Sequence, residues 1–430
     1  MPSDSSESPT PHPNSRPTRR SFLRQAGTGL GASLTLGTTA HAATSTPAPP
    51  PPVFNLNQVG SLFPFIASQA VKQEFPLSYL QPQFQSLPDW KKTARTKLLE
   101  LLHYSPPPCD PRAEVIERTD RGDYLLERIL FNTTPDLRIP ACVLIPKHAP
   151  LPAPAIIALH DHGGFYLWGK EKLLENKDEH PVLTDFKKTF YAGRSIAVDL
   201  VRQGYVVIVI DMFYWGERRL LLDDDADDWR LRPRDISAER IRLFNQRSGQ
   251  SEYLLGRTIL AAGFTWSGVM FWDDIRTVDY LLTRKDVDPR RIGCVGLSIG
   301  GLRACHLAAL DDRIKASVIV GWMASFPRQL QRHVRSAIGF TKLVPGLYRH
   351  LDYPDVASLA MPTPLLVING KRDGLFDQPG VQECYAKLAA CYQKAGIPAK
   401  FRGLHYDTPH EFNLEMQTQA WEWLAKWVKA

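Results

Sequence analysis

The sequence predicts an α/β protein with a mostly parallel central sheet and helices on both faces of that sheet. Short apolar runs rich in β-branched residues lie at 154–159, 205–210, 292–296, 315–320 and 364–369, as expected of buried parallel strands. Helical patterns separate these runs at 194–203, 268–284, 300–310 and 378–395. Strands that alternate with helices in this way specify a parallel sheet covered on both sides.

The rest of the chain is predicted to extend this core. Alternating segments near 123–132 and 139–146 indicate an antiparallel pair that opens the sheet, and 398–404 indicates a last strand before a final helix. A helix over 89–103 belongs to an N-terminal extension, residues 53–111, that is expected to pack on the main domain, residues 112–430. Long interruptions at about 212–265 and 322–352 are expected to be insertions that form a lid or a pocket, because long segments inside such folds usually carry function.

The N-terminus has the features of an export signal. Thr18-Arg19-Arg20-Ser21-Phe22-Leu23-Arg24 resembles a twin-arginine signal, a Gly-rich apolar stretch follows, and Ala40-His41-Ala42 fits a cleavage site. Residues 1–42 are therefore predicted to be a signal peptide, followed by a Pro-rich linker at 43–52. We expect a periplasmic or secreted bacterial protein that uses the twin-arginine export machinery and has no stable membrane span after cleavage.

Composition narrows the function classes. The formal charge is +7, but no stripe of Lys and Arg interleaved with aromatic residues is present, so a nucleic-acid partner is not expected. The six cysteines include no C-x-x-C pair and are expected to be structural thiols. A disulfide between Cys109 and Cys142 is left open, because the predicted compartment is oxidising.

The most informative motif is Gly296-Leu297-Ser298-Ile299-Gly300, which follows a predicted strand and precedes a predicted helix. This G-x-S-x-G pattern is typical of a nucleophile elbow, a sharp strained turn that exposes a serine hydroxyl above the sheet. The glycines supply the missing Cβ atoms that such a crowded turn requires. Ser298 is therefore the predicted nucleophile.

A nucleophilic serine needs a base to accept its proton and a carboxylate to orient that base. Asp373 lies on the loop after the strand at 364–369, with Asp377 as the nearby alternative. His410 lies past the strand at 398–404, while His405, at the edge of that strand, is the alternative base. The predicted triad is Ser298, Asp373 and His410.

The loop after the strand at 154–159 is predicted to help stabilise the oxyanion. It reads His160-Asp161-His162-Gly163-Gly164, and its paired glycines allow backbone N–H groups to point inward. The predicted donors are the N–H groups of His162, Gly163 and Ile299. A rival interpretation makes His160, His162 and Asp211 metal ligands, but it leaves the elbow unexplained; neither a metal nor an organic cofactor is expected.

These motifs, in this order, resemble the α/β-hydrolase superfamily from about residue 112 to the end. The chain is similar to bacterial dienelactone-hydrolase-like and acetyl xylan esterase-like enzymes in five stretches: 160–164, 211–217, 272–274, 286–293 and 296–301. Dienelactone hydrolases proper are compact and use a cysteine nucleophile, whereas this chain has Ser298 and large insertions. The resemblance therefore implies serine ester hydrolysis without a cofactor, but not the dienelactone substrate.

The sequence thus predicts an exported serine hydrolase that cleaves carboxylic esters through an acyl-enzyme. The substrate is expected to be a small-molecule or polysaccharide ester, since the acetyl xylan esterase likeness suggests acyl groups on polysaccharides. Two alternatives remain open at this point. One is a serine peptidase of the prolyl-oligopeptidase type, and the other is a non-catalytic binding protein on a hydrolase scaffold.

Overall fold

The computed structural model describes residues 58–71 and 74–429, so the predicted signal peptide and linker lie outside the described residues. In that part of the chain, nine strands form one sheet. The strands are β1 (Glu114–Asp120), β2 (Tyr124–Thr134), β3 (Leu137–Pro146), β4 (Ala153–Leu159), β5 (Val206–Ile210), β6 (Val287–Leu297), β7 (Ile314–Val320), β8 (Leu365–Gly370) and β9 (Phe401–Tyr406).

Helices connect and cover these strands. The α-helices over the described ranges are α1 (Phe63–Gln69), α2 (Leu87–Leu102), α3 (Pro181–Tyr191), α4 (Ile196–Arg202), α5 (Asp227–Leu231), α6 (Ala238–Ala261), α7 (Trp266–Leu282), α8 (Ile299–Leu310), α9 (Phe326–Arg332), α10 (Val334–Ala337), α11 (Tyr353–Ser358), α12 (Gln378–Lys394) and α13 (Leu414–Val428). Short 3₁₀-helices lie at Gly60–Leu62, Lys170–Leu173, Gly216–Arg218, Phe340–Lys342, Leu347–Arg349 and Pro398–Lys400.

The sheet runs in the order β1-β2-β3-β5-β4-β6-β7-β8-β9. Strands β4 to β9 are parallel to one another, whereas β1, β2 and β3 pair antiparallel and β3 joins the parallel part through β5. The predicted mostly parallel sheet is confirmed. The predicted antiparallel pair is confirmed as β2 and β3, but the expectation that this pair opens the sheet is wrong, because β1 precedes it. The side chains of β1 are mostly charged and exposed, so no buried alternation marks this strand in the sequence.

Helices cover both faces of the parallel strands, as predicted. A Cβ on Gly293 of β6 would lie 2.9 Å from Val428 in α13. The next residue, Cys294, points the other way, and its Sγ lies 3.7 Å from the Ala304 carbonyl oxygen in α8. Since successive residues of a strand point to opposite faces, α13 and α8 lie on opposite sides of the sheet. All seven residues of β4 are buried between such layers.

Residues 287–291 form the entrance of β6, although an Asp-Pro pair such as Asp288-Pro289 is typical of a turn. Val287 pairs with Ala153 of β4, but Ile292 pairs with Ala155, so β6 carries extra residues between these two pairs. Such a bulge tolerates Pro289, which cannot donate a ladder hydrogen bond. The Asp-Pro signal therefore marks an irregularity within a strand here, not the end of a helix followed by a loop.

Helix α2 of the N-terminal extension packs on the body of the protein. Near the start of this helix, the Lys91 ammonium donates to the Met361 carbonyl oxygen at 2.5 Å. At the other end of this helix, the hydroxyl of Thr265 donates to the Leu102 carbonyl oxygen at 2.5 Å. The insertion at about 212–265 is largely helical, because α6 alone spans 24 residues of it.

The described helices and cysteines are relevant to membrane insertion and to disulfide formation. No single helix there is long and apolar enough to cross a bilayer; α6 and α7 reach that length and composition only together, and they are bent by 83° at their junction. All six cysteines are free thiols, so the disulfide left open between Cys109 and Cys142 is not formed.

Candidate active site

Ser298 occupies a strained turn between β6 and α8. Its backbone has φ 61° and ψ −122°, in a region that residues with a side chain rarely adopt. The Ser298 N–H donates to the Val320 carbonyl oxygen at 2.8 Å, which fixes the turn against the neighbouring strand β7. This is the geometry that the G-x-S-x-G motif predicts.

The glycines of the motif are required by close backbone approaches. A Cβ on Gly300 would lie far inside van der Waals contact with the Leu159 carbonyl oxygen. A Cβ on Gly296 would overlap the backbone of Gly300 in the same way. Because these neighbours are backbone atoms, they cannot rotate away, and only glycine fits at either position.

Asp373 and His410 form a hydrogen-bonded pair on adjacent loops. Asp373 follows β8, and His410 follows β9, so both lie at the same edge of the sheet as Ser298. His410 Nδ1 lies 2.6 Å from Asp373 Oδ2, and the carboxylate side chain is only 1% exposed. The other carboxylate oxygen accepts the Leu375 N–H at 3.0 Å, which holds the Asp373 side chain in place.

The alternative candidates for the orienting carboxylate and the base, Asp377 and His405, bind other groups. Asp377 caps α12 by accepting the Gly380 N–H at 2.8 Å. His405 lies in β9 between two glutamine side chains, with Nε2 2.8 Å from Gln378 Oε1 and Nδ1 2.5 Å from Gln382 Nε2. The structure therefore brings Asp373 and His410 together and gives Asp377 and His405 structural contacts.

The His410 ring lies beside the elbow. Gly321 follows β7 directly after Val320, which binds the Ser298 N–H, and it has φ 58°. A Cβ on Gly321 would lie 3.0 Å from His410 Cε1, so the imidazole packs against this glycine. Within the described residues no hydrogen bond joins Ser298 Oγ to His410; in enzymes without substrate such bonds are often long.

The loop after β4 has the form expected of an oxyanion loop. Gly163 and Gly164 have φ 56° and 62°, and a Cβ on Gly163 would lie 2.5 Å from Asp161 and from Phe186. The N–H groups of His162, Gly163 and Ile299 donate to no acceptor in the part of the chain that the structure describes. They are therefore free to receive an anion.

Lys172 sets the orientation of this loop, a role that sequence reasoning missed. Its Nζ is buried and donates to the carbonyl oxygens of Asp161 at 2.9 Å and His162 at 3.1 Å. In a trans peptide the C=O and the following N–H point in opposite directions. By binding these two carbonyls, Lys172 turns the N–H groups of His162 and Gly163 away from itself.

Glu252, from helix α6, is a second residue that sequence reasoning missed. His162 Nδ1 accepts the Gly164 N–H at 3.0 Å, so its Nε2 carries the proton and donates to Glu252 at 2.8 Å. The Tyr166 hydroxyl donates to the same carboxylate oxygen at 2.9 Å. Burial alone would raise the pKa of Glu252, but these two donors lower it below its ordinary value.

The other members of the rival metal set, His160 and Asp211, are engaged with other groups of the protein. His160 Nδ1 lies 2.9 Å from the Asp161 carbonyl oxygen, and its Nε2 accepts the Met212 N–H at 3.1 Å. Burial, together with the nearby Lys172, holds the pKa of His160 well below its usual value. Asp211 binds the Lys170 ammonium at 2.6 Å. These contacts hold the two side chains in place and occupy the lone pairs that a metal ion would need.

Comparison with known proteins shows what this chain is similar to. The family model described as "Dienelactone hydrolase family" matches residues 189–418, and one described as "Abhydrolase family" matches residues 65–227. A relative from Bacillus subtilis (strain 168), YtaP, which is named as a hydrolase, is 29% identical over 334 residues, covering 78% of this chain and 98% of YtaP.

Solved structures share the fold at low sequence identity. A Bacteroides fragilis protein named as an acetyl xylan esterase has a TM-score of 0.59 at 18% identity, covering 82% of this chain and 84% of its own. A glucuronoyl esterase from Solibacter usitatus has a TM-score of 0.56 at 16% identity, covering 83% and 98% respectively.

The nine-stranded sheet and the serine elbow define a protein of the α/β-hydrolase class. The dienelactone hydrolase family model covers more than half of the chain and includes Ser298, Asp373 and His410. The chain belongs to the dienelactone hydrolase family.

Proposed function

We propose that this protein is a serine hydrolase that cleaves carboxylic esters through an acyl-enzyme on Ser298. The observation that carries the proposal is the 2.6 Å contact between His410 Nδ1 and Asp373, with the His410 ring packed beside the elbow. This contact fixes the ring so that Nε2 is the free nitrogen. It is the arrangement a base needs to accept a proton from a serine hydroxyl.

The reaction follows in two steps. His410 Nε2 accepts the Ser298 proton as Oγ attacks the ester carbonyl, and the C–O bond to the alcohol then breaks as His410 returns that proton to the leaving oxygen. Water, deprotonated by His410, next attacks the acyl-enzyme, and release of the acid restores the Ser298 hydroxyl. Asp373 stabilises the imidazolium in both steps.

The tetrahedral intermediates carry a negative charge on the former carbonyl oxygen. The N–H groups of Ile299, His162 and Gly163 are the proposed donors to this oxygen. Fixed donors of this kind act where charge develops and need no reorganisation during the reaction, so they stabilise the transition state more than the substrate. Lys172 and Glu252 would hold the loop that presents two of them.

The substrate is proposed to be an acyl ester on a polysaccharide, and the protein to act outside the cytoplasm. Support for the substrate comes from the structural neighbours named as an acetyl xylan esterase and a glucuronoyl esterase. Support for export comes from the Arg19-Arg20 signal, which lies outside the described residues. Replacing both arginines by lysine should leave the unprocessed precursor in the cytoplasm, whereas the unaltered chain should be cleaved near Ala42 and exported.

A substrate panel tests the function. It would compare acetylated xylan, a glucuronoyl ester, p-nitrophenyl acetate and a proline-containing peptide, with the Ser298→Ala variant as control. We expect ester turnover by the wild type and a loss of about 10³-fold or more in the variant. Peptide cleavage without ester turnover would instead show a peptidase, and equal activity in both proteins would exclude Ser298 as nucleophile.

A further inference from the structure

A groove of about 920 Å³ lies at the edge of the sheet opposite the candidate active site. Arg290 and Arg291 line it at the entrance of β6, and Lys400 lines it just before β9. Its other wall is helix α2. Because Ser298 and His410 follow the carboxyl ends of the strands, the groove and the site lie at opposite edges of the sheet.

The groove is strongly basic. Of the described residues that line it, seven are Lys or Arg and one, Asp312, is acidic. Asp312 is already saturated, since Arg95 binds both of its oxygens at 2.8 and 2.9 Å and Lys91 binds one of them at 2.9 Å. Hence Asp312 cannot neutralise the remaining basic side chains.

The other positive charges of the groove are poorly neutralised by carboxylates. Lys92, Lys315 and Lys400 have no carboxylate within ion-pairing distance over the residues that the structure describes, and Lys92 and Lys315 are exposed. Arg290 is 89% exposed and lies 3.7 Å from Asp288, a carboxylate that also pairs with Arg291. Like charges gathered in one concave surface raise the local concentration of anions, so an anionic ligand would be attracted here.

The groove also offers apolar surface between its cations. Leu99 of α2 is 44% exposed, and one aromatic side chain, Trp427, lines the wall formed by α13. The ammonium of Lys400 lies 6.0 Å from the centre of the Trp427 ring. An aromatic face beside a lysine suits a sugar ring that carries a carboxylate, because the ring packs on the indole while the charge binds the ammonium.

We propose that this groove binds an anionic polysaccharide, with carboxylates of the polymer on Lys92, Lys315 and Lys400. The groove would anchor the protein to an acidic polymer independently of the reaction at Ser298. A single-stranded nucleic acid fits less well, because its bases need a series of aromatic platforms, and Trp427 is the one aromatic residue among the described residues that line this groove.

Charge reversal tests the proposal. Binding to polygalacturonate, to neutral xylan and to DNA would be measured by affinity electrophoresis for the full-length protein and a K92E/K315E/K400E variant. The matched control is K177E/R257E/K285E, which makes the same charge change at exposed sites outside the groove. Turnover of p-nitrophenyl acetate, expected to stay unchanged, verifies that both variants are folded.

The wild type should bind polygalacturonate but not neutral xylan, and the groove variant should bind at least about tenfold more weakly, while the control stays within about twofold. Binding should also weaken strongly between about 0.05 and 0.5 M NaCl, because salt screens exposed charges. Equal binding by the groove variant, equal affinity for neutral xylan, or no binding by the wild type would overturn the proposal. Tighter binding to DNA than to polygalacturonate would show a nucleic-acid surface instead.

Discussion

The buried ammonium of Lys172 donates to the His162 carbonyl oxygen at 3.1 Å and thereby fixes the peptide that carries the Gly163 N–H. The same ammonium also binds the preceding carbonyl, that of Asp161, at 2.9 Å. One side chain therefore binds both peptides that carry the proposed oxyanion donors of this loop, and His160 Nδ1 and the Trp215 indole lie 2.9 and 3.2 Å from the same two carbonyl oxygens. Fixed orientation matters because a donor that must rotate during the reaction loses much of its value.

Replacing Lys172 by methionine should lower kcat by about 10- to 100-fold with little change in KM, because the oxyanion forms only in the transition state. Steady-state kinetics on p-nitrophenyl acetate measure both constants. The matched control is Lys187→Met, since Lys187 is equally buried and donates to the Leu174 carbonyl oxygen at 2.5 Å, away from this loop. If the two variants lose kcat equally, Lys172 supports the fold and not the oxyanion loop.

The Glu252 carboxylate is expected to support the same loop from the insertion at 212–265. Glu252→Ala should lower kcat by about tenfold or more, because His162 and Tyr166 lose their shared acceptor. Glu252→Gln, which retains an acceptor oxygen, should recover part of the loss. Glu239→Ala, an exposed position on the same helix, serves as the control in the same assay. If kcat is unchanged in Glu252→Ala, the insertion does not support catalysis through this residue.

Replacement by asparagine should lower kcat sharply at Asp373 but not at Asp377. Asp373→Asn should lower kcat by about 10³- to 10⁴-fold, because asparagine cannot hold His410 in the required tautomer. Asp377→Asn should have little effect, since asparagine caps a helix as well as aspartate does. Kinetics of the two purified variants decide between them. A large loss in Asp377→Asn with activity retained in Asp373→Asn would reverse the assignment.

Stability should depend on pH through Asp352. Burial, followed by the nearby Asp355 carboxylate, raises the pKa of Asp352 to about 7 from an ordinary value of 3.8. A raised folded-state pKa means that the contribution of this group to stability is full below pH ~4 and is lost as the pH rises through about 7. As the pH rises from 4 to 8, the free energy of unfolding of Asp352→Asn should therefore increase by about 1–3 kcal/mol relative to that of the wild type.

Urea unfolding at pH 4, 6 and 8 measures this difference. The exposed Asp224→Asn variant is the control, and its difference from wild type should stay flat over the same range. A difference between Asp352→Asn and wild type that is also flat with pH would contradict the burial argument.

The candidate triad could be predicted from the sequence because each member follows a short apolar strand that the pattern identifies. Ser298, Asp373 and His410 lie after β6, β8 and β9, and parallel strands bring their carboxyl ends to one edge. The same reasoning identified the loop at 160–164. Local patterns were sufficient wherever the determining interactions are between neighbours in the sequence.

The supporting residues could not be predicted because their partners are distant in the chain. Glu252 lies 90 positions from His162, on a helix within an insertion, and nothing in its local pattern separates it from a surface glutamate. Strand β1 was missed for a related reason, since its exposed charged residues form a strand only by pairing with β2. Nothing in the local sequence distinguishes Lys172 from a surface lysine, because only the folded structure brings the loop that it binds around its side chain.

Covalent labelling tests the central claim most directly. A fluorophosphonate probe reacts with activated serines, and digestion followed by mass spectrometry locates the adduct. The wild type should carry one probe on Ser298, and both Ser298→Ala and His410→Ala should remain unlabelled. A wild-type protein that hydrolyses esters but carries the probe on another residue, or on none, would contradict a mechanism through Ser298.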